Sequence, residues 1–417
     1  MKNIPVDEIP LNPEFCATYS IKSNNITAYT HGFFKYPCKF IPHIPRWAIR
    51  RYLDDSKEGL LDPFCGSGTS LVEGVLHRKT SYGVEIDPFS RLLTEVKTTS
   101  FTEKGIAELE TIAGTIKDRL RNQDGPVFIP EIPNIKKWFS NKSRNQLGKL
   151  KHEIDENTDK NSKYRKFLYL VLASIIRKVS NAEGQSPKPY VSTRFKKDKV
   201  DAIEAFFNNY EKFFERIKEF SSNKNLGKSS IIGEDARSIN RAIKGKIELA
   251  ITSPPYINAF DYVRSLKLEN LWLGITDYDK LLQLRQKHVG TENISITDKD
   301  VPKTEHEKLQ KILKTIYKTD KKRAWIVYKF FKDMETNISE VYDVLKKGGC
   351  YTIVIGESKI RGVRIPTHRI LADIAMEKGF VFDTMFSYEI KNRYLRFPRE
   401  GRGGFIKKDW VVSMVKE

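Results

Sequence analysis

The sequence has few of the residues from which covalent or metal-bound frameworks are built. Its 417 residues include four cysteines, Cys16, Cys38, Cys65 and Cys350, and no two of them form a C-x-x-C pair. The seven histidines show no spacing that is typical of metal ligands. We therefore expect neither a disulfide framework nor a zinc site, and the isolated thiols favour a reducing compartment, the cytoplasm.

Long apolar runs are also absent. The longest, Phe167 to Ile176, stops at Arg177 and Lys178 and is too short for a helix that crosses a membrane. Asp7 and Glu8 stand where a signal segment would be apolar, so we expect no secretion and no membrane association. With 39% hydrophobic and 30% charged residues, the composition is that of a globular chain with room for two or three domains.

Acidic residues are in deficit. The chain has 73 Lys and Arg against 53 Asp and Glu, a formal net charge of +20, so a polyanion is the expected partner: nucleic acid first, a membrane surface second. Residues 136–228 contain 22 basic and 11 acidic residues, so their net charge of +11 is more than half of the chain's net charge of +20. A general lysine bias is the alternative, but the local excess predicts a contact surface for the polyanion here. Its candidate residues are Arg177, Lys178, Lys196 and Lys197.

The sequence divides into two α/β stretches and a different stretch between them. In residues 1–100, short apolar strands alternate with helices, which is the pattern of a doubly wound parallel sheet. Residues 229–417 resume this pattern with a strand at 247–252, a long helix at 324–345 and a closing hairpin near the end. No clear periodicity lies between that strand and that helix. We expect residues 101–228 to be an inserted helical domain with its aromatic residues in the core.

The first candidate site is a glycine-rich turn, D-P-F-C-G-S-G-T, at residues 62–69. Gly66 and Gly68 allow the backbone to approach a ligand closely at the end of a predicted strand, where the next helix begins. Neither the third glycine of nicotinamide-binding turns nor the Gly-Lys-Ser/Thr of phosphate-binding loops is present. Asp62 before the turn and Glu85 after the next strand favour a nucleoside cofactor, with a plain tight turn as the alternative.

The second candidate site is T-S-P-P-Y at residues 252–256, directly after the predicted strand. Consecutive prolines fix the backbone and carry no N–H groups, so nearby carbonyl groups can act as acceptors. Ser253 adds a hydroxyl group and Tyr256 a flat aromatic surface. Such a pocket suits a planar base that carries an exocyclic amine; a Pro-Pro turn without function is the alternative.

The two motifs together make the sequence similar to the S-adenosylmethionine-dependent DNA amino-methyltransferases, which modify cytosine N4 or adenine N6. D-P-F-x-G-S-G-T resembles their cofactor loop, and T-S-P-P-Y resembles their catalytic motif in the form typical of cytosine-N4 enzymes. Residues 36–42, 83–87 and 233–235 resemble the segments beside the cofactor's methionine part, ribose and adenine. The motif order resembles the class whose target-recognition domain lies between the two motifs.

The resemblance implies the fold, the cofactor, the substrate and the site residues. The fold is an α/β, Rossmann-like S-adenosylmethionine-dependent methyltransferase core with an inserted, mainly helical domain. S-adenosyl-L-methionine is the cofactor, and double-stranded DNA is the partner, with the target cytosine flipped out and stacked on a tyrosine. The implied catalytic residues are Ser253, Pro254, Pro255 and Tyr256. The implied cofactor-binding residues are Lys39, Phe40, Asp62, Pro63, Phe64, Gly66, Ser67, Gly68, Thr69, Glu85, Ile86, Asp235 and Ala236.

Several alternatives stay open. An adenine-N6 DNA enzyme comes next, then an RNA amino-methyltransferase, and a nucleic-acid-binding subunit with a decayed core is the alternative that is not an enzyme. Cytosine-C5 enzymes attack with the cysteine of a Pro-Cys dipeptide, but Cys38 precedes the cofactor loop and Cys65 lies inside it, so both are expected to be structural. A cognate restriction endonuclease is a further partner that the sequence neither indicates nor excludes.

Two other groups are weaker candidates. One either lines the pocket or begins an ordinary helix, and consists of Asn258, Asp261, Tyr262 and Lys267. The other falls in a glycine-containing hairpin loop that suits phosphate contacts, with a solvated turn as the alternative. It consists of Arg393, Arg396, Arg399 and Arg402.

Overall fold

The structure is a computed structural model that describes residues 3–22, 26–37, 39–53, 58–121, 125–184, 186, 188–194, 197–198, 200–257, 261–296, 300–391 and 406–417. The strands of this part of the chain are β1 (Asn3–Val6), β2 (Thr18–Ile21), β3 (Glu58–Asp62), β4 (Thr80–Val84), β5 (Lys228–Gly233), β6 (Ile247–Thr252), β7 (Leu345–Gly356), β8 (Ser358–Ile360), β9 (Val363–Ile365), β10 (Phe380–Glu389) and β11 (Lys408–Lys416).

The α-helices of the same residues range from single turns to a helix of 24 residues. They are α1 (His43–Tyr52), α2 (Thr69–Leu76), α3 (Pro88–Thr98), α4 (Glu103–Arg119), α5 (Ile135–Trp138), α6 (Asn141–Glu156), α7 (Lys163–Val179), α8 (Ala202–Ser221), α9 (Tyr262–Ser265), α10 (Lys267–Trp272), α11 (Tyr278–Lys287), α12 (Glu307–Tyr317), α13 (Lys321–Val344) and α14 (Thr367–Glu377). Within the described ranges, no helix has the length and apolar character that crossing a membrane requires.

A nine-stranded mixed sheet forms the centre of the molecule, in the order β1-β2-β10-β11-β7-β6-β3-β4-β5. Strands β7, β6, β3, β4 and β5 are parallel, whereas β11 runs antiparallel between β7 and β10. The chain passes from β3 outward to β4 and β5 and then returns to β6 on the other side of β3. Ligands of such sheets bind where the strand order reverses, at the carboxyl ends of the strands. The predicted α/β, Rossmann-like fold class is confirmed.

Helices cover both faces of this sheet, which is why its central strands are apolar on both sides. Helix α1 packs against Leu60 and Leu249, whereas α13 and α14 pack in a separate cluster with Leu61 and Ala250. Strand β6 places alternate side chains in these two clusters, as the period of two in a strand requires. The sheet is therefore a rigid base for the loops at its carboxyl edge.

The stretch between β4 and β5 is helical, as predicted, and its aromatic side chains form a core. Phe167, Phe206 and Phe213 are buried in one apolar cluster with residues of α2 and α3. The expected role of these aromatics in a core is therefore confirmed. The cluster continues from the first α/β stretch into α4–α8, and the division at residues 101–228 stays a prediction.

The segment between β6 and α13, for which the sequence shows no clear periodicity, is helical over much of its described part. This segment contains α9, α10, α11 and α12, and Trp272 in α10 is fully buried. Helices α9 and α10 have four and six residues, so neither repeats an apolar pattern long enough to detect. Helix α12 buries Leu309, Leu313 and Ile316 at helical spacing, a signal that sequence reasoning missed.

Candidate cofactor and target-base site

A cleft of about 860 Å³, including the part that opens to solvent, lies at the carboxyl ends of β3, β4, β5 and β6. Most of the predicted cofactor-binding residues and two of the predicted catalytic residues line it. They are Lys39, Phe40, Pro63, Phe64, Gly66, Ser67, Thr69, Glu85, Ile86, Asp235, Ala236, Ser253 and Pro255. The structure thus brings both motifs to one cleft.

Asp62 lies beneath the cleft and is fully buried. Its Oδ1 accepts hydrogen bonds from the Phe64 N–H (3.1 Å) and the Thr252 hydroxyl (2.6 Å), and its Oδ2 accepts one from the Ser70 hydroxyl (2.6 Å). Burial raises the pKa of the Asp62 carboxyl group to about 6, although these donors oppose the shift. Asp62 therefore orders the turn and joins it to β6 without lining the cleft.

The glycine-rich turn has a backbone that favours glycine at two positions. Gly66 and Gly68 have φ values of 51° and 73°, in the left-handed region. Gly68 precedes α2, and a Cβ atom there would lie 2.8 Å from the Thr94 side chain. The Thr94 hydroxyl donates to the Gly66 carbonyl at 3.0 Å, and the buried Lys97 ammonium donates to the Ser67 carbonyl at 2.5 Å. Two side chains of α3 thus stabilise the turn by donating hydrogen bonds to its carbonyl groups.

Glu85 follows β4 with both carboxylate oxygens placed by backbone groups. Oε2 accepts from the Gly66 N–H at 2.9 Å and Oε1 accepts from the Asp87 N–H at 2.8 Å. Burial raises the pKa of Glu85 to about 7, the largest effect on this group. Each oxygen can accept a further hydrogen bond, because an ionised carboxylate has about four acceptor positions. Two adjacent hydroxyl groups, such as those of a ribose, match this arrangement.

The candidate catalytic motif, T-S-P-P-Y, continues directly from β6. Ser253 and Pro255 are half-buried and line the cleft, whereas Pro254 is buried and lies behind them. Tyr256 is half-buried next to the cleft, and its hydroxyl group donates to Asp409 Oδ1 at 2.6 Å. The Ser253 hydroxyl is thereby placed in the same space as the glycine-rich turn.

Asp235 and Ala236 line the cleft beyond β5, but the Asp235 carboxylate is already paired. Arg237 donates to its two oxygens at 2.9 and 2.8 Å and holds the pKa of Asp235 below its usual value against the effect of burial. Arg237 also pairs with Asp333 of α13 at 3.0 Å. The Asp235 side chain is therefore oriented by a network that joins the cleft wall to α13.

Sequence reasoning missed part of the lining. Five lining residues lie inside the segments that resemble cofactor segments but were not predicted individually to bind the cofactor: Tyr36, Cys65, Val84, Asp87 and Glu234. Four others lie outside every quoted segment: Val263, Lys287, His288 and Val289. Residues 287–289 come from the end of α11, and nothing local in their sequence indicates a site.

The four weaker pocket candidates have different positions. Tyr262 lines the cleft and stacks on Tyr36, with ring centroids 6.0 Å apart. Asp261 caps α9 and pairs with Arg285 at 2.8 Å, and the Lys267 ammonium lies 4.3 Å from the centroid of the Trp138 ring. Asn258 lies outside the described residues.

The predicted DNA-contact residues also differ from one another. Arg177 is half-buried at the end of α7 and donates to the Ser186 carbonyl at 2.6 Å, whereas Lys178 is exposed. The Lys197 ammonium donates to the carbonyl groups of Arg177 and Ala182 at 2.6 and 3.2 Å. Lys178 is therefore the freest of these three to contact a phosphate. The remaining candidates, Lys196, Arg393, Arg396, Arg399 and Arg402, lie outside the described residues, as does Cys38.

The cysteine that lines the cleft, Cys65, is in an environment that disfavours its reactive thiolate form. Cys65 is buried in the glycine-rich turn, and burial raises the pKa of its thiol well above the usual range. Because the thiolate is the nucleophile, this environment opposes covalent attack by Cys65. In the part of the chain that the structure describes, no three His, Cys, Asp or Glu side chains come together as metal ligands would.

Known proteins resemble this chain, although no protein-family model matches it. The type II methyltransferase M.MvaI of Kocuria varians is 25% identical over 382 residues, which cover 84% of this chain and 82% of that protein. This chain is similar to type II methyltransferases. M.AvaI of Nostoc sp., another protein of that description, is 24% identical over 403 residues, which cover 84% of this chain and 79% of that protein.

Among solved structures, a SAM-dependent methyltransferase from Methanosarcina mazei aligns with a TM-score of 0.33 and 12% identity, covering 88% of this chain and 96% of that one. The similarity to M.MvaI and M.AvaI extends over most of this chain and most of each relative. The resemblance to methyltransferases that the motifs predicted is therefore confirmed at the level of that class.

Proposed function

We propose that this chain is a site-specific DNA methyltransferase that transfers a methyl group from S-adenosyl-L-methionine to the exocyclic N4 amine of a flipped-out cytosine. One observation carries the proposal: Ser253 of the catalytic motif lines the same cleft as Gly66 and Glu85 of the cofactor motif. The Asp62–Thr252 hydrogen bond joins the two motifs directly. A methyl donor and an acceptor amine bound by these motifs would meet in one space.

The cleft fits S-adenosyl-L-methionine in its chemistry. Glu85 has two carboxylate oxygens with remaining acceptor capacity for the ribose hydroxyl groups, and the turn at residues 63–69 offers a backbone that can approach the methionine part. Phe40, Phe64 and Val289 supply apolar walls of the kind that a planar base needs. When bound, this cofactor supplies an electrophilic methyl group attached to a sulfonium.

The residues of the catalytic motif would hold the amine. An exocyclic amine is a weak nucleophile because its lone pair is delocalised into the ring. The Ser253 hydroxyl and the Pro254 carbonyl can accept the amine hydrogens, which favours a more pyramidal nitrogen with an available lone pair. The two prolines keep these acceptors fixed, so that positioning supplies much of the rate acceleration without a covalent enzyme intermediate.

The target base must leave the duplex before it can enter this cleft. Tyr256, half-buried beside the cleft, would stack on this base, an interaction of about 1–3 kcal/mol per base. The net charge of +20 and the basic stretch at residues 136–228 favour a nucleic acid as the substrate. The relatives' description as type II methyltransferases supports DNA over RNA, and the preference for cytosine N4 rests on the serine of the Ser-Pro-Pro-Tyr motif.

The test is expression in a host without DNA methylation, followed by mass spectrometry of nucleosides from its DNA and RNA. We expect N4-methylcytosine in the DNA, and single-molecule sequencing should locate it in one recurring sequence. N6-methyladenine would overturn the choice of base, and modified RNA with unmodified DNA would overturn the choice of substrate. No modified nucleoside, together with no S-adenosylmethionine binding by calorimetry, would favour a decayed, non-catalytic core.

The Ser253→Ala variant tests the assignment of the catalytic motif. It should lower kcat with little change in the affinity for the cofactor or for duplex DNA, since the hydroxyl group acts on the amine alone. Ser222→Ala is the matched control, because Ser222 is exposed beyond the end of α8 and does not line the cleft. Full activity of Ser253→Ala would remove this residue from the chemistry.

A further inference from the structure

Asp409 is a buried carboxylate in β11 whose two oxygens are both used by tyrosine hydroxyl groups. Tyr256 donates to Oδ1 at 2.6 Å and Tyr388 donates to Oδ2 at 3.2 Å. Tyr388 is the register partner of Asp409 on β10, whereas Tyr256 belongs to the catalytic motif, 153 residues away in the sequence. Hydrogen bonds to an ionised acceptor are among the stronger ones in proteins, so this contact constrains the far end of the Tyr256 side chain.

Gly356, at the end of β7, is an independent sign that this contact shapes the site. It is the register partner of Asp409 on the other side of β11. A Cβ atom at Gly356 would lie 2.7 Å from Ile406 Cγ2, 3.0 Å from Asp409 Oδ1 and 3.2 Å from Tyr256 Cε2. Contacts this short force neighbouring atoms to move. Because glycine has no side chain, position 356 leaves room for the hydrogen bond between the Tyr256 hydroxyl group and Asp409.

We propose that Asp409 is a positioning residue for the methyl transfer: by holding the hydroxyl group of Tyr256, it fixes the aromatic ring in the orientation that receives the target base. The proposal rests on the proposed function and adds to it a role for the last strand of the sheet. A tyrosine side chain turns about two torsions, and a hydrogen bond at its outer end restrains both. Restraint of this kind supports a site in which small displacements lower the rate strongly.

The proposal gives a specific expectation for the Tyr256 hydroxyl. If the ring alone mattered, Tyr256→Phe would be nearly silent. Because Asp409 orients the ring through the hydroxyl, Tyr256→Phe should lower kcat, as should Asp409→Ala, by about tenfold to a hundredfold. The two effects should not multiply in the double variant, since either change removes the same contact. The KM for S-adenosylmethionine should stay near the wild-type value in all three.

Asp409→Asn is the rescue variant. Its side-chain amide has nearly the same shape and keeps a carbonyl oxygen that can accept from Tyr256, so it should retain most of the kcat that Asp409→Ala loses. Tyr388→Phe is the matched control, because it removes the other phenol from the same carboxylate and leaves the contact with Tyr256 intact. It should lower the free energy of unfolding and leave kcat near the wild-type value.

The experiment measures kcat and KM for DNA methylation, cofactor affinity and thermal stability for the wild-type protein and these variants. Wild-type kcat in Tyr256→Phe, or equal losses of kcat in Asp409→Asn, Asp409→Ala and Tyr388→Phe, would overturn the positioning role. If Asp409→Ala does not fold, Gly356→Ala replaces it, and an undiminished kcat in that folded variant would also overturn the proposal. An inactive wild-type protein would instead overturn the proposed function, so the two failures are distinguishable.

Discussion

Thr252 donates its hydroxyl group to the Asp62 carboxylate at 2.6 Å, although the two residues are 190 positions apart in the sequence. Asp62 ends β3 and opens the glycine-rich turn, whereas Thr252 ends β6 and opens the catalytic motif. Strands β3 and β6 are parallel neighbours, so the two motifs start from adjacent strand ends. This hydrogen bond fixes the spacing between the two halves of the proposed active site.

Replacing Thr252 with valine should show the strength of this link. The change keeps the shape of the side chain and leaves a buried carboxylate without one of its donors, which should cost about 1–3 kcal/mol of the free energy of unfolding. Urea unfolding measures it. Thr352→Val is the control, since Thr352 bonds the neutral Ser413 hydroxyl at 2.8 Å in the same sheet. If Thr252→Val loses no more free energy of unfolding than Thr352→Val, the charge on Asp62 does not strengthen its hydrogen bond with Thr252.

Glu85→Ala should weaken S-adenosylmethionine binding by about 1.5–3 kcal/mol, because charge-assisted hydrogen bonds to the ribose are lost. DNA affinity should change little, since the Glu85 carboxylate lines the cleft and accepts hydrogen bonds from the Gly66 and Asp87 N–H groups. Calorimetry measures the first quantity and a DNA-binding titration the second. Glu110→Ala is the control, because Glu110 is exposed in α4 and does not line the cleft. Unchanged cofactor affinity in folded Glu85→Ala would remove Glu85 from the site.

Cofactor affinity should also rise with pH. The pKa of Glu85 is raised to about 7 by burial, so below this pH the carboxyl group is protonated in the free protein and loses acceptor capacity. Binding that requires the ionised form then releases a proton. The logarithm of the affinity should increase by up to about one per pH unit below pH 7 and level off above it.

The measurement is calorimetry between pH 6 and 7.5, a range in which Lys39, with its pKa lowered to about 8 by burial, stays mostly charged. Glu85→Gln has no titrating group at this position and serves as the comparison. A pH dependence that persists unchanged in Glu85→Gln would show that another group is responsible.

Gly68→Ala should destabilise the turn for two reasons that add. The left-handed φ of 73° costs a residue with a Cβ atom about 1–2 kcal/mol, and that atom would lie 2.8 Å from Thr94. Gly114→Ala should have the opposite effect on stability. Gly114 is exposed in α4, and a Cβ atom there would meet no atom outside its own helix backbone within 4 Å. It should stabilise by about 0.5–1 kcal/mol. Thermal unfolding of both variants checks the pair, and a stable Gly68→Ala with normal cofactor affinity would contradict it.

Lys178→Gln should reduce the dependence of DNA affinity on salt. Each lost phosphate contact lowers the slope of log affinity against log salt by about 0.9 for duplex DNA. Arg177→Gln should act differently, lowering stability instead, because the Arg177 guanidinium is half-buried and bonded to the Ser186 carbonyl. Binding titrations at several salt concentrations, with thermal unfolding in parallel, separate the two. A slope unchanged in Lys178→Gln would mean that this lysine makes no phosphate contact.

The parts of the fold that the sequence predicts correctly are those with local signals. The turn at residues 62–69 and the strands β6, β10 and β11 each have a sequence signal within a dozen residues, in the form of glycines, apolar runs or alternation. The contact of Tyr256 with Asp409 has no such signal, because it joins residues 153 positions apart. Residues 287–289 enter the cleft only because α11 ends beside it. Sequence reasoning therefore found both motifs but not the groups that hold and enclose them.

Strand β11 comes last of the described strands along the chain, yet it lies between β7 and β10. Until it emerges from the ribosome, the nascent polypeptide can assemble only two partial sheets, each with an open edge able to pair with another molecule. Chains interrupted before residue 408 are therefore expected to aggregate. They would also lack Asp409, whose carboxylate accepts a hydrogen bond from Tyr256. Under the proposed function, the cell would therefore gain methylating activity only from chains whose synthesis has passed that strand.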